Sequence, residues 1–417
     1  MTSNSGDQLW QGHLRGSKSY QRILLALACA GVATFAQLYS LQGVLPLLAA
    51  DLRVSAAEAA LSVSTATIGL AIAVIPWSAL ADRIGRLRAM SIAVIAATVL
   101  GLLVPLMPTL SSILLLRFFE GLALGGIPAL ALAYLTEEVH RMHAAIAAGS
   151  YVAGTTIGGL SGRVIAGPIG DLAGWRTGVL LVSLLATMAS AGFILLAPKQ
   201  RGFVRLGKAA EGSPGLLSRL GSNLKNPGLL ALYAQGFLLM GGFVAVYNYL
   251  GFRLEAAPFL LPTAVTSLLF LAYLAGTFSS RLVGSLSARF GRRNMLALST
   301  LVMALGVALT MVPTVLMVLF GLLVLTAGFF AAHAVASGWA PARASVGRAQ
   351  AASLYNLCYY AGSSLIGWWG GLVFQQLGWN ALALTVIALA LLATLWAWFA
   401  LRPSTDGPSA AHSVGTV

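Results

Sequence analysis

Charge is scarce in this sequence. Asp, Glu, Lys and Arg together make up 9% of its 417 residues, where a soluble domain carries about 25%. The acidic side is thinnest, with eleven residues against twenty-five basic ones. A globule in water needs a charged surface. The shortage, set beside 58% hydrophobic residues and a mean hydropathy of +0.87, excludes one and makes lipid the solvent for most of the chain. Cysteine is almost missing. Cys29 and Cys358 both fall inside apolar runs, which argues against a structural disulfide, and no metal-ligand spacing exists. Also lacking are a nucleotide-binding loop, an intramembrane metal cluster and a catalytic Ser/His/Asp set, and the polar segments are too short for a sensor's output domain. Neither an enzyme nor a cofactor is expected. The net charge of +14 does not point to nucleic acid, because the basic residues are spread over short loops and form no single patch.

What the sequence does have is apolar length. A bilayer core of about 30 Å takes about 20 residues of helix, and twelve such runs are present, near 22–48, 59–81, 89–108, 111–134, 145–170, 177–197, 228–251, 262–282, 294–312, 314–340, 350–374 and 381–401. The expected fold is an all-α membrane protein of twelve transmembrane helices in two six-helix bundles, 22–197 and 228–401. Residues 198–227, with Lys199, Arg201, Arg205, Lys208, Arg219 and Lys225, read as a cytosolic linker between them. Residues 1–21 are polar, and the run that follows is too long for a signal-peptide core, so they read as a retained cytosolic tail. Residues 402–417, rich in Ser, Pro, Gly and Ala, read as a disordered cytosolic end.

The basic residues orient the chain. With the N-terminus in the cytosol, nineteen lie on the cytosolic face and three, Arg53, Arg176 and Arg253, on the other. That bias predicts an inner-membrane protein with both termini cytoplasmic. The halves echo one another. "LADRIGRLR" (80–88) and "LSARFGRRN" (286–294) place Gly85-Arg86 and Gly291-Arg292 at equivalent points, 206 positions apart. "AAGSY" (147–151) and "AASLY" (351–355) are each followed by a tryptophan, Trp175 and Trp379, at one spacing. Two matches at nearly one offset indicate an internal duplication.

Polar atoms are costly in hydrocarbon and turn toward partners or a wet cavity. Spans 3, 6, 9 and 12 hold no charge and no Tyr, Asn, Gln or His, which makes them outer posts. Span 2 departs from the rule, its polarity being confined to Ser, Thr and the Pro76-Trp77 pair. The remaining spans furnish a substrate chamber from Gln37, Tyr39 and Gln42 in span 1, Tyr247 and Asn248 in span 7, His333 in span 10, and Tyr355, Asn356 and Tyr359 in span 11. Tyr355 and Tyr359 share a helix face. Local packing of the tyrosines is the plainer alternative.

Glu120 is the acid set deep in a span, about 13 Å from the near end at 1.5 Å per residue. Arg117 shares its helix face, and Arg163 on the next helix lies about 10 Å deep. A static ion pair explains the three charges. So does a proton-binding carboxylate that responds to its arginines and thereby couples protonation to a conformational change. The local excess of one positive charge also allows an anionic substrate.

The hairpin "SALADRIGRLR" (78–88) resembles the signature of the major facilitator superfamily, and the resemblance extends over both halves and all twelve spans. "RFFEG" (117–121) is similar to the fourth-helix motif of its proton-driven antiporters, and "GTTIGGLSG" (154–162) to the glycine-rich fifth-helix motif of its exporters. "GGLSGR" and "SLYNLCYYAGSS" resemble YnfM-type inner-membrane transporters, grouped with arabinose-efflux permeases. The sequence departs from these patterns at Ser78, Gly159 and Ala288, where the usual residues are glycine, proline and aspartate, and at Glu120, where the motif carries an amide. The resemblance implies alternating access, a gate at Asp82, Arg83 and Arg86, and a part for Arg117 in proton transfer; the buried charges themselves suggest Glu120 as the proton carrier, tuned by Arg117 and Arg163. The expected activity is proton-coupled export of a small organic molecule by a monomer embedded in the lipid bilayer. The alternative is proton-coupled uptake of a small organic anion held by Arg163 and Arg117.

Overall fold

The computed structural model describes residues 10–203 and 216–401, and it is helical throughout apart from turns and one isolated bridge, His13–Val139. Among the described residues ten helices are long and apolar enough to cross a bilayer. One of them, Arg348–Ala400, is 53 residues long and breaks at Gly378 (φ 78°), so it crosses twice, as helices 11 and 12. Ala144–Ala173, thirty residues, completes the twelve as helix 5. The others are helix 1 (Lys18–Leu52), helix 2 (Ala56–Ile84), helix 3 (Arg86–Leu106), helix 4 (Leu110–Glu138), helix 6 (Trp175–Leu196), helix 7 (Pro227–Glu255), helix 8 (Thr263–Phe290), helix 9 (Arg292–Leu309) and helix 10 (Val315–Arg343). A short helix, Leu216–Leu224, precedes helix 7, and Asn223 Nδ2 donates to the Gly347 carbonyl at 3.1 Å. The tail 402–417 and the linker residues Arg205 and Lys208 lie outside the described residues.

Local chemistry sets the ends and breaks. Ser55 and Glu58 form a reciprocal capping box that starts helix 2, and Thr109 with Ser112 does the same for helix 4. Helix 1 is regular to Leu38, loosens through Tyr39–Leu41 and a 3-10 turn at Gln42–Val44, and resumes at Leu45. Pro46 accounts for this: it has no N–H, and its ring clashes with the carbonyl four residues back, that of Gln42. Pro128 interrupts helix 4 after Leu124 in the same way.

The duplication is visible in the backbone. Gly85 and Gly291 turn helix 2 into 3 and helix 8 into 9 at φ 96° and 83°, and Gly174 and Gly378 turn helix 5 into 6 and 11 into 12 at 84° and 78°. Each turn needs a left-handed φ that a side chain resists, so one glycine makes a hairpin with no loop.

Each half has its own apolar core. One is built around Ile23, Leu27, Val63 and Leu124, the other around Phe243, Val307, Leu325 and Val386. Large apolar side chains are exposed along helices 3, 6, 9 and 12, among them Ile95, Met188, Leu305 and Leu395, as the outer-post pattern requires. Helix 2, the odd member in the sequence, is a wall between the halves. Its Thr67 hydroxyl meets Ser364 of helix 11 at 2.7 Å, and its Trp77 Nε1 donates to the Leu122 carbonyl at 2.8 Å. Small hydroxyls suffice there because their partners are other helices.

Candidate functional site

The halves meet through helix 2 against helix 11, and through helix 5 against the start of helix 8 (Thr263–Ala272). Gln42 Nε2 donates to Asn248 Oδ1 at 2.6 Å, joining helix 1 to helix 7 across the molecule at duplicated positions 206 residues apart. These contacts lie toward the end opposite the Gly85 and Gly291 turns. On the turn side of them the halves enclose a cavity of about 650 Å³, whose walls run from Arg163 and Tyr273 out to Val152, Ser280 and Gly338.

Tyr39, His333, Asn356 and Tyr359, expected from the sequence as chamber residues, line this cavity, and so does Arg163, expected as a proton-coupling or anion-binding residue. The other expected chamber residues do not. Tyr355 sits behind the wall, its hydroxyl 3.0 Å from His333 Nδ1. Gln42 and Asn248 form the seal, and Tyr247 is buried with its hydroxyl 2.7 Å from Thr326 Oγ1. Gln37 is buried within the first half beside Glu120. Sequence reasoning missed Tyr273 and the phenylalanines Phe35, Phe243, Phe329 and Phe330 that also form the walls. A phenylalanine in an apolar run looks the same whether it faces lipid or cargo. The one available signal was the Phe329-Phe330 pair, a turn before His333.

The three intramembrane charges do not form one cluster. Arg117 and Glu120 pair at 2.7 Å, 0% and 1% exposed, inside the first half and away from the cavity. Arg117 also donates to the Leu38 carbonyl at 2.5 Å and to the Gln37 carbonyl at 3.0 Å, which Ser40 shares through its N–H and hydroxyl, both at the helix 1 break, and to the Ser62 carbonyl on helix 2 at 3.0 Å. It therefore ties three helices together at the helix 1 break. The other carboxylate oxygen of Glu120 faces helix 3 at Gly101, and the Gln37 amide, turned to satisfy its neighbours, donates to it at 3.2 Å. Arg163 stands apart in an aromatic cage. Its guanidinium carbon is 3.9 Å from the Tyr39 ring centre, 4.6 Å from Tyr273 and 5.1 Å from Phe270. Its Nε donates to Gln42 Oε1 at 2.6 Å and its Nη1 to the Gly159 carbonyl at 2.5 Å.

At the turn end, Asp82 and Arg86 pair at 2.5 Å, and Arg86 reaches Glu137 of helix 4 at 3.1 Å. Gln200 donates to Glu137, and buried Glu138 accepts from the Arg201 and Gly202 amides at 2.6 and 2.7 Å. Arg83 lies exposed in the last turn of helix 2, where a cation suits the helix dipole. The contacts of Asp82 and Arg86 stay within the first half and the start of the linker. Among the described residues they do not bridge the two halves, as the sequence resemblance implied, because the halves are parted at this end. Glu137, Glu138 and Gln200 were not foreseen; charges at a helix end read as an ordinary solvated loop.

Two pseudo-symmetric six-helix bundles sealed at one end around a membrane-embedded cavity define a secondary transporter that works by alternating access. Residues 27–283 and 260–415 match the family model described as Major Facilitator Superfamily. The chain belongs to that superfamily. It is 38% identical over 381 residues to the inner membrane transport protein YnfM of Escherichia coli strain K12, covering 91% of each chain. It is 32% identical over 405 residues to the uncharacterised MFS-type transporter YybF of Bacillus subtilis strain 168, covering 96% of this chain and 98% of YybF. Among solved structures, a mutant form of the nucleoside transporter NupG superposes with a TM-score of 0.72 at 15% identity, over 91% of this chain and 100% of NupG. At that identity the likeness is one of fold.

Proposed function

We propose that this protein exports a small organic molecule across the bacterial inner membrane in exchange for protons, with both termini in the cytosol. Bundles 22–197 and 228–401 rock about the cavity, and the turn end, here the open one, faces the cytosol. Arg117 is the observation that carries the coupling. It holds Glu120 at 2.7 Å and, through the Gln37 and Leu38 carbonyls, the end of the first segment of helix 1. Four residues beyond Leu38, Gln42 bonds both Arg163 and Asn248. A proton on Glu120 removes the charge that fixes Arg117. The helix 1 break then gains freedom, and with it the bond that seals the far end. Asn248 Nδ2 is buried without a partner among the described residues, so the seal is satisfied on one side only and can open. Asp82, Arg83 and Arg86 gate the cytosolic end when the halves close there.

The test uses purified protein in liposomes under an imposed pH gradient, screened against a library of small organic compounds. Wild-type protein moves its substrate uphill and dissipates the gradient, and Glu120→Gln does neither. Uphill movement at the wild-type rate by Glu120→Gln removes Glu120 from the coupling. A second reading, uptake of a small organic anion, is favoured by one observation: Arg163 has no carboxylate partner among the described residues.

A further inference from the structure

Arg117 and Arg163 are both sunk in the membrane, but their charges are met differently. Arg117 has a carboxylate at 2.7 Å. Arg163 is 2% exposed, and among the described residues no carboxylate lies within ion-pair distance of it. Guanidinium does not give up its proton in proteins, so this charge cannot be relieved by titration. A buried cation without a counter-charge is costly. The aromatic cage offsets part of that cost and leaves the net charge in place. The hydrogen bonding is incomplete as well. Of five N–H donors, Nε serves Gln42, one on Nη1 serves Gly159, and Nη2 makes a long contact, 3.4 Å, to the Tyr273 hydroxyl, while the Tyr39 hydroxyl is a further neutral neighbour. Arg163 lines the cavity, so donors and charge are offered to whatever enters.

The walls say what else enters. Phe243 and Phe329 stack at 4.0 Å between ring centres, and Phe330 and Tyr273 meet them edge-on. Phe243 and Phe329 cover each other's faces and are 1% and 2% exposed, so they back an aromatic wall whose more open members are Tyr273 and Phe330. His333, Ser337 and Asn356 add polar atoms to the lining, and none of the residues lining the cavity is acidic. The lining therefore combines one permanent cation, a set of aromatic rings and a few polar groups, with no carboxylate.

Taking the transporter reading as given, we infer that the cargo is a small organic acid with an aromatic body, its carboxylate or equivalent anion neutralised by Arg163 and its rings held among Tyr39, Tyr273 and Phe330. The same guest completes the unused donors of Arg163 and supplies the missing counter-charge.

The experiment separates binding from transport. Full-length protein in detergent is heated with naphthalene-2-carboxylate, its carboxamide, 2-(aminomethyl)naphthalene, acetate and inorganic phosphate, each titrated, with unfolding followed by tryptophan fluorescence. Naphthalene-2-carboxylate is expected to raise the unfolding temperature in a saturable way, at least tenfold more tightly than the carboxamide, the amine or acetate. Arg163→Gln should erase that preference, and Arg163→Lys should keep part of it. Equal stabilisation by carboxamide or amine, equal stabilisation by acetate or phosphate, or no stabilisation by the aromatic acid overturns the inference. Should Arg163→Gln fail to fold, the acid against its isosteric amide on wild-type protein decides alone. Uphill transport of neutral or cationic compounds without the acid preference sinks the anion site and leaves the transporter reading standing. Acid binding with no pH-driven flux sinks the coupling and leaves the site.

Discussion

Gly158→Ala offers a direct test of how helix 1 is held. Gly154, Gly158 and Gly162 line one face of helix 5 and touch the helix 1 backbone at Ala28, Val32 and Ala36. A Cβ on Gly158 falls 2.6 Å from the Val32 carbonyl oxygen, 2.7 Å from Val32 Cα and 3.0 Å from the Gly31 carbonyl oxygen. All three are backbone atoms, so no side chain can rotate away. Restoring ordinary contact requires the helices to part by about 0.8 Å, and overpacking of this kind costs about 1–3 kcal/mol. Alanine regains about 0.5–1 kcal/mol of helix propensity, leaving a net loss of about 1–2 kcal/mol. Gly149 is the internal control: it lies on the same helix, and a Cβ there meets nothing within 4 Å. Gly149→Ala should be neutral or slightly stabilising, so the two variants should differ by about 2 kcal/mol. Unfolding in mixed micelles of mild detergent and dodecyl sulfate, read by tryptophan fluorescence, measures the gap. Transport should fall with Gly158→Ala as well, because the carbonyls that Arg117 holds lie about one and a half turns beyond Val32. Equal stability of the two variants would refute the argument that backbone contact along this stripe sets the position of helix 1.

Three further outcomes are expected. Tyr247→Phe removes the bond to the fully buried Thr326 and should cost about 1–2 kcal/mol in the same unfolding assay; adding Thr326→Val should recover part of it, and strict additivity would deny the bond. Gln42→Leu breaks the seal to Asn248 and strips Arg163 Nε of its acceptor. Spin labels at positions 53 and 260 should then report a larger population with the far ends apart, and an unchanged distance distribution would show that the seal lies elsewhere. Asp82→Asn should alter stability by less than about 1 kcal/mol, because the pair with Arg86 is partly exposed. Its transport rate should nonetheless drop, and an unchanged rate in vesicles would free Asp82 of a gating role.

Much of the fold was legible in the residues. Apolar run length, the glycine-arginine turns at 85 and 291, and the polar poverty of every third span depend on composition and short spacing, which a sequence displays directly. The site was legible in part. Tyr39, Arg163, His333, Asn356 and Tyr359 do face one cavity, because a polar group in lipid has few other places to go. Gln42, Asn248, Tyr247 and Tyr355 have the same polarity and found partners instead, as a seal or behind the wall. The sequence cannot distinguish those outcomes, since both satisfy the same cost.

By itself, then, the sequence determined the solvent, the number of crossings and the twofold plan, because the bilayer allows so few ways of hiding a backbone. Only the tertiary structure decided which of two buried arginines has a counter-charge. Arg117 and Arg163 differ through neighbours brought from helices 1, 2, 4 and 8. Electrostatic energy depends on distances across helices, and distance along the chain does not fix those.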